Sequence, residues 1–382
     1  MSQQLRVNFI SNLDIDEQSG GWTGINVAIY RQLSSHFATK YVGPINPPTD
    51  YPAKLVSKVL RMNGRSGSFH FFSEHRLQRI AKLVKSANDE TAHCNFFHGS
   101  TPWVLYDSPY PYFLYTDTCF STYIDVYHDR TRFLTADLKR IRDAEARWLA
   151  RATRVFFGTH WAMERAVADN AIPRSNLMVA GAGGSMTPPT TDAYSGGLDL
   201  LFVALDFERK GGRICVDAFL KVQQQSPEAR LSIVGQQPPP EILCLPGVSY
   251  EGFLRKSVPA ELGKLSTLYS KAFALIHPTS SDIQPLVICE AGYFGCPTIA
   301  PGSFGIPELI IDGVTGFLVD IPLKAEEFAN RVIGLAGDEQ KYRAMRTAVR
   351  ANAIANQTWA VVGTRIVEEM MSVLTAEQSI KS

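Results

Sequence analysis

Short apolar runs alternate with amphipathic stretches along almost the whole chain, the pattern of a parallel α/β architecture. Arg6–Ile10 reads as a strand, followed by a polar loop with Gly20 and Gly21 and an amphipathic helix over about Thr23–Phe37. Asn95–His98, Pro111–Thr116 and Val155–Gly158 read as further strands, each closing on a small or polar residue. Apolar positions recur at helical spacing over Asp137–Arg151 and Trp161–Asp169. A fresh series opens with a strand at Leu198–Ala204, a helix at Gly212–Gln225 and a strand at Arg230–Val234. After it come Val248–Tyr250, a helix near Leu262–Ser270, a strand at Ala274–His277, a helix opening at Pro285 and a short strand at Thr298–Ala300. The tail from Ala325 is mostly helical in pattern. Between the two series lies AGAGGSMTPPTTDAYSGG (Ala180–Gly197), which has almost no core formers and predicts a linker. The expectation is two doubly wound domains, 1–185 and 198–363, with ligands at the carboxyl ends of strands in a cleft between them.

Composition narrows the class without naming a function. At 382 residues the chain suits two domains rather than one core. A formal net charge of +1 gives no general attraction to nucleic acid, so none is expected as a partner. The six cysteines are scattered without metal-ligand spacing, which predicts reduced thiols, a cytoplasmic setting and no zinc site. MSQQLRVNFISNLDIDEQ meets acids before any long apolar core, as expected of a chain without a signal peptide, and no run has the length of a membrane span.

The chemistry concentrates in HPTSSDIQPLVICEAGYFGCPTIAPGSFGIPELIIDGVTGFLVD, His277–Asp320. Asp282 precedes a helix start and Glu290 follows it with seven residues between them. Amides at a helix start attract phosphate, and carboxylates accept hydrogen bonds from sugar hydroxyls, so the pair points to a sugar nucleotide. In LLFVALDFERKGGRICVDAF, Arg209 and Lys210 stand at a glycine-rich strand-to-helix junction. Two cations there would neutralise a diphosphate and stabilise it as a leaving group, the alternative being a solvated charged turn.

LFVALDFERKGG, LSIVG and the His277–Asp320 stretch together resemble the donor domain of GT-B glycosyltransferases, in particular the large retaining group called family 4. The resemblance covers the second domain and, more loosely, the first. It implies an α/β GT-B fold of two Rossmann-like domains facing a central cleft, with a C-terminal helix from about Thr364 crossing back to the first domain. By position, Glu290 matches the glutamate that binds the nucleotide ribose, Asp282 the acid that contacts the donor sugar, and Lys210 the diphosphate lysine. The amides of Ile283, Gln284, Leu286 and Val287 would hold the distal phosphate. Glu308 and the loop Gly302–Gly305 would line the same pocket, and backbone around Gly235 and Gly252–Leu254, including Leu254, would meet the base. Two departures stand out: Asp282 is one methylene shorter than the usual glutamate, and Ala204-Leu205 replaces the usual glycine-arginine, leaving Arg209 as the substitute cation.

The first domain is expected to supply the acceptor side. Gly20 and Gly21 precede a helix and would let amides approach a phosphate, or are simply a turn. Asp117 lies just past a strand end, where it either orients the acceptor hydroxyl or caps a loop. His98 also ends a strand, and Trp103 is a candidate sugar-stacking platform; a core histidine is the alternative for His98. From Lys54 to Lys85, eight cations face only Glu74, with apolar stripes between them. Such helices either lie on anionic lipid, as a lipid-linked acceptor would require at the inner membrane face, or pack on their own sheet.

The resulting expectation is a retaining, metal-independent transferase moving a hexose from a UDP- or GDP-linked sugar, with no cofactor, to a glycan or lipid-linked hydroxyl. A sugar-nucleotide 2-epimerase of the same fold and a non-catalytic sugar-nucleotide-binding subunit stay open as alternatives.

Overall fold

The computed structural model describes residues 4–15 and 21–381, with side chains as far as residue 376. These residues form two compact units. The first contains the N-terminal strand, Ile25–Gly181 and the chain from Gly363 onwards; the second contains Ala182–Val362 and, among the described residues near the N-terminus, Gly21–Gly24.

Each unit is built on one six-stranded sheet. In the first, β1 (Arg6–Ile10), β2 (Ala38–Val42), β3 (Cys94–His98), β4 (Tyr112–Thr116), β5 (Arg154–Phe157) and β6 (Leu177–Val179) run in the order β2-β1-β3-β4-β5-β6. In the second, β7 (Asp199–Ala204), β8 (Arg230–Gly235), β9 (Val248–Gly252), β10 (Ala274–Ile276), β11 (Thr298–Pro301) and β12 (Gly316–Val319) run β12-β11-β10-β7-β8-β9. All the pairings are parallel. The order of the second sheet reverses between β7 and β10, and that of the first between β1 and β3. Those reversals are where a doubly wound sheet opens a crevice at its strand ends.

The central strands are apolar because helices cover both faces. Cys94–His98 (CNFFH) and Tyr112–Thr116 (YFLYT) are buried at every position. In β7 successive residues serve opposite cores: Leu200 and Phe202 pack with Phe219, Ile233 and Phe328, whereas Leu201 packs with Tyr269, Leu275 and Ile288.

Three strands have no counterpart in the apolar pattern: β2, β6 and β12. In β2, Ala38–Val42 (ATKYV), the first four positions alternate between exposed and half-buried on the sheet edge and Val42 is buried, paired in register from Arg6–Ala38 to Ile10–Val42. An edge strand with one wet face needs no apolar run.

The segment expected to be a linker is largely fastened to the second unit. Ala182, Gly183, Gly184 and Met186 are buried, and a Cβ on Gly183 would lie 2.5 Å from the amide nitrogen of Trp359. Asp192 accepts both Nε and Nη2 of Arg346 at 2.7 and 2.6 Å. Small residues here reflect close packing, not freedom of the chain. Among the described residues no helix is long and apolar enough to cross a membrane.

Candidate functional site

The loops that follow β7 and β10 meet at the reversal of the second sheet. Gly211 makes the meeting close: its φ is +78°, and a Cβ there would fall 2.1 Å from the Pro278 carbonyl oxygen. Only glycine takes up that conformation at that distance. On the other side of the loop, the Phe207 amide donates to Gln236 Oε1 at 2.6 Å, and the Gln236 amide donates to the Ala204 oxygen.

This turn carries Lys210 across to Asp282. Lys210 Nζ donates to Asp282 Oδ2 at 2.6 Å and to the Ser281 oxygen at 3.0 Å. His277 Nε2 lies 3.3 Å from the same carboxylate oxygen. Burial by itself raises the Asp282 carboxyl, but the hydrogen bond to His277 and the Lys210 ammonium outweigh it and hold the group below its ordinary range. The ammonium, carboxylate and imidazole thus form one compact, largely buried polar cluster beside a helix start. His277, which sequence reasoning did not single out, closes β10 directly ahead of the acid loop, and that position was the available signal.

Arg209 does not share this placement. Its guanidinium is half-exposed and lies 3.3 Å from Asp206, whose Oδ1 also accepts the Arg209 amide. The two neighbouring cations expected to act together therefore divide, Lys210 inward and Arg209 at the turn.

Downstream of Asp282, Ile283 is buried and its oxygen accepts the Gly305 amide at 3.1 Å, tying the loop Gly302–Gly305 to the acid loop. Gln284 and Leu286 are buried, Val287 is half-buried, and the helix Leu286–Tyr293 starts behind Pro285. Glu308 sits exposed in the turn Ile306–Glu308. Gly235 has φ +114°, and a Cβ would lie 1.9 Å from the Ala204 oxygen, so β8 closes against β7 only with glycine there. Leu254 packs half-buried against the core under the helix.

Glu290 occupies a different environment from Asp282. It is completely buried; Oε1 accepts the Ser185 amide at 2.9 Å and pairs with Lys256, while Oε2 accepts the Tyr269 hydroxyl at 3.3 Å. Burial and this carboxylate together push the Tyr269 phenol far above its usual value. A Cβ on Gly184 would lie 2.6 Å from Glu290 Cγ, so the 182–186 segment closes over the acid. Lys256 and Tyr269 were missed in sequence because neither falls at a strand end or in a glycine loop. Any ribose hydroxyl reaching Glu290 has to share a carboxylate already satisfied by three protein donors.

In the first unit, burial pushes His98 down to about 3, which holds its ring neutral. Trp103 is fully buried, donating Nε1 to the His98 oxygen at 3.1 Å and packing against Phe97. With both ring faces enclosed it is no stacking platform, which corrects that expectation. Asp117 is half-buried after β4. Gly21 opens the helix Gly21–Ser34 with φ +62°, and Gly20 lies outside the described residues.

A buried acid that the sequence concealed in a charged helix organises these strand ends. Glu145 accepts Ser100 Oγ at 2.6 Å, Thr101 Oγ1 at 2.7 Å and the Phe120 amide at 2.7 Å. It thereby ties the loop after β3 to the helix after β4. Burial raises its carboxyl, against the pull of those three donors.

Comparison with known proteins places this geometry. Across solved structures the chain has the fold of sucrose-phosphate synthase from Thermosynechococcus elongatus, with a TM-score of 0.70 at 15% identity over 98% of this chain and 100% of that one. It is similar also to the Anabaena protein HepE, solved in complex with UDP and glucose, with a TM-score of 0.63 at 16% identity over 96% of this chain and 100% of that one. The architecture is therefore GT-B. The family model described as "Glycosyl transferases group 1" matches residues 197–338, within the second unit. One relative is a GDP-mannose-dependent phosphatidylinositol monomannoside mannosyltransferase of Mycolicibacterium smegmatis, 29% identical over 45% of this chain and 47% of that protein. Another is a sulfoquinovosyl transferase of Arabidopsis thaliana, 29% identical over 42% of this chain and 32% of that protein. The match thus spans less than half the length of either relative.

Proposed function

We propose that the protein is a retaining, metal-independent glycosyltransferase that takes a hexose from a nucleoside diphosphate sugar and transfers it to an acceptor hydroxyl. The observation that carries the reading is Lys210 set beside Asp282 at the β7/β10 reversal, in the stretch that the glycosyl transferases group 1 model matches. A diphosphate at the start of the helix Leu286–Tyr293 would draw on Lys210 and the first-turn amides, which have no acceptor within the helix. As Lys210 turns to the diphosphate, Asp282 is released to accept from a sugar hydroxyl, with His277 still holding it.

In the transfer, the bond between the anomeric carbon and the phosphate oxygen breaks and the acceptor oxygen bonds to that carbon on the same face. The acceptor proton passes to the departing phosphate. Lys210 and the helix amides stabilise the charge that builds on the leaving group. The loops after β3 and β4, joined through Glu145, form the acceptor side of the reading, with Asp117 as the polar group of that region. Names among the relatives support a glycan or lipid-linked acceptor and a GDP-linked sugar, whereas the Anabaena structure holds UDP and glucose.

The test is a thermal-shift series with UDP, GDP, ADP and their sugars, followed by transfer and donor-hydrolysis assays. A true donor at a hundred times its Kd stabilises by about 2.7 kcal/mol. Lys210→Ala should weaken that binding at least tenfold and remove transfer. Stabilisation by no nucleotide, or an unchanged Lys210→Ala, sinks the proposal. Binding without transfer or hydrolysis points instead to a non-catalytic subunit, and epimerised donor without acceptor to an epimerase.

A further inference from the structure

Away from the Lys210–Asp282 site, the helix Tyr51–Met62 in the first unit carries an apolar face that is open to solvent. Tyr51, Leu55, Val59 and Met62, at 71, 63, 50 and 77% exposure, recur at helical spacing and form one stripe. Val56 extends the stripe on one side. The opposite face is anchored through Ser57, whose Oγ donates to the Ala53 oxygen at 2.8 Å and lies 2.7 Å from Ser68 Oγ. So many large apolar side chains on one surface helix are uncommon in a face that meets only water.

Cations line the other edge of the stripe. Lys54, Lys58, Arg61 and Met62 of this helix, with His70 and Arg132, surround a cavity of about 360 Å³. No acid occurs anywhere from Tyr51 to Ser73. Among the described residues none of Lys54, Lys58, Arg61 or Arg132 has a carboxylate partner; Arg61 Nη2 donates to the Ser68 backbone oxygen at 3.2 Å instead. The nearby Asp50 is engaged as the helix cap, accepting the Ala53 amide and Ser73 Oγ. Against a chain whose formal net charge is only +1, this is a local basic array.

We propose that this face docks the first unit on an anionic lipid bilayer. Tyr51, Leu55, Val59 and Met62 enter the boundary between headgroups and acyl chains, while Lys54, Lys58, Arg61 and Arg132 meet lipid phosphate at the basic cavity. An amphipathic helix lying in the interface has this layout, with lysine stems along the apolar stripe and ammonium groups at phosphate depth. Charge complementarity selects the occupant: a second copy of the chain packed on the same face would set two acid-free cationic arrays against each other. The inference uses no residue of the second unit, so it stands or falls separately from the donor reading.

Vesicle flotation of the full chain tests it, with phosphatidylcholine alone and with phosphatidylcholine mixed with phosphatidylglycerol. Wild type should float with the anionic vesicles, about tenfold or more better than with the neutral ones, and added salt should weaken the binding. Leu55→Glu with Val59→Glu, and separately Lys54→Glu with Lys58→Glu, should each lower it about tenfold. All four side chains are exposed, and circular dichroism with a thermal melt checks that the variants fold. Equal binding to both vesicles, or variants indistinguishable from wild type, overturns the proposal. So does a thermal shift with inorganic phosphate that Lys54→Glu with Lys58→Glu removes in a protein that ignores vesicles. A concentration-dependent dimer in light scattering that Leu55→Glu with Val59→Glu dissolves overturns it in favour of a second copy.

Discussion

The two acids of the second unit differ in what their removal would leave behind. Glu290 is buried against Lys256, the Ser185 amide and the Tyr269 hydroxyl, so Glu290→Ala strands an ammonium and two neutral donors. Breaking a buried pair from one side costs about 3–5 kcal/mol. Urea denaturation of Glu290→Ala should show a loss of that order, and Glu290→Ala with Lys256→Met should regain a good part of it. If the double variant is no more stable than the single, the pair is not what holds this region. Activity lost in Glu290→Ala alone therefore says little about ribose, and Glu290→Gln is the cleaner probe. Asp282 offers a pH signature instead. Its carboxyl is held below the ordinary value of about 3.9. A depressed folded value gives stability that is fully present above about pH 4 and is lost as pH falls through the folded value. The stability difference between wild type and Asp282→Asn should thus stay level from about pH 7 to pH 5 and shrink below about pH 4. A gap that widens in acid would contradict the assignment.

At the scale of elements, the site depends on two loops being pressed together, and Gly211 sets how closely. Gly211→Ala places a methyl 2.1 Å from the Pro278 oxygen at φ +78°, so the turn must retreat and carry Lys210 away from Asp282. Donor binding by calorimetry should weaken at least tenfold while the melting temperature falls only modestly, because the turn is a surface element. Gly235→Ala is the contrasting case. Its Cβ would sit 1.9 Å from the Ala204 oxygen between two paired central strands, and the whole second sheet should lose about 3 kcal/mol or more. Why the sequence disclosed the β7 loop and not the Lys256–Glu290 pair follows from the same geometry. A doubly buried strand writes an uninterrupted apolar run, and a forced positive φ writes a glycine, so LLFVALDFERKGG is legible as strand, loop and helix start. A contact such as Lys256–Glu290 joins residues 34 apart through side chains alone and leaves no local mark. The edge strand β2 was illegible for another reason, since its polar face reads as loop. Trp103 misled because an aromatic in the loop after a strand looks alike in sequence whether it faces a ligand or the core.

For the molecule as a whole, the chain's last helix, Trp359–Lys381, links the folding of the first unit to residues far from it in sequence. Ile366, Met370 and Leu374 are buried at successive turns. Arg365 donates to the Ala180 oxygen at 3.0 Å, and Glu369 pairs with Arg154 at the start of β5. A Cβ on Gly363 would lie 2.5 Å from Gln32 Cγ, so the helix also sits close against Gly21–Ser34. The first unit is therefore incomplete without the chain from Gly363 onwards, whereas nearly all of the second lies within Ala182–Val362. Replacing Ile366 and Met370 with alanine removes two buried side chains at about 2–5 kcal/mol each. That sum rivals the 5–15 kcal/mol by which a domain is ordinarily stable. Scanning calorimetry should then show the transition of the first unit moving well below that of the second, and limited proteolysis should cut first within Ile25–Gly181. Nucleoside diphosphate should still raise the second transition, because Lys210, Asp282 and the helix Leu286–Tyr293 all lie in the unit left intact. A single shifted transition, or loss of nucleotide binding in this variant, would mean that the second unit does not hold the donor by itself.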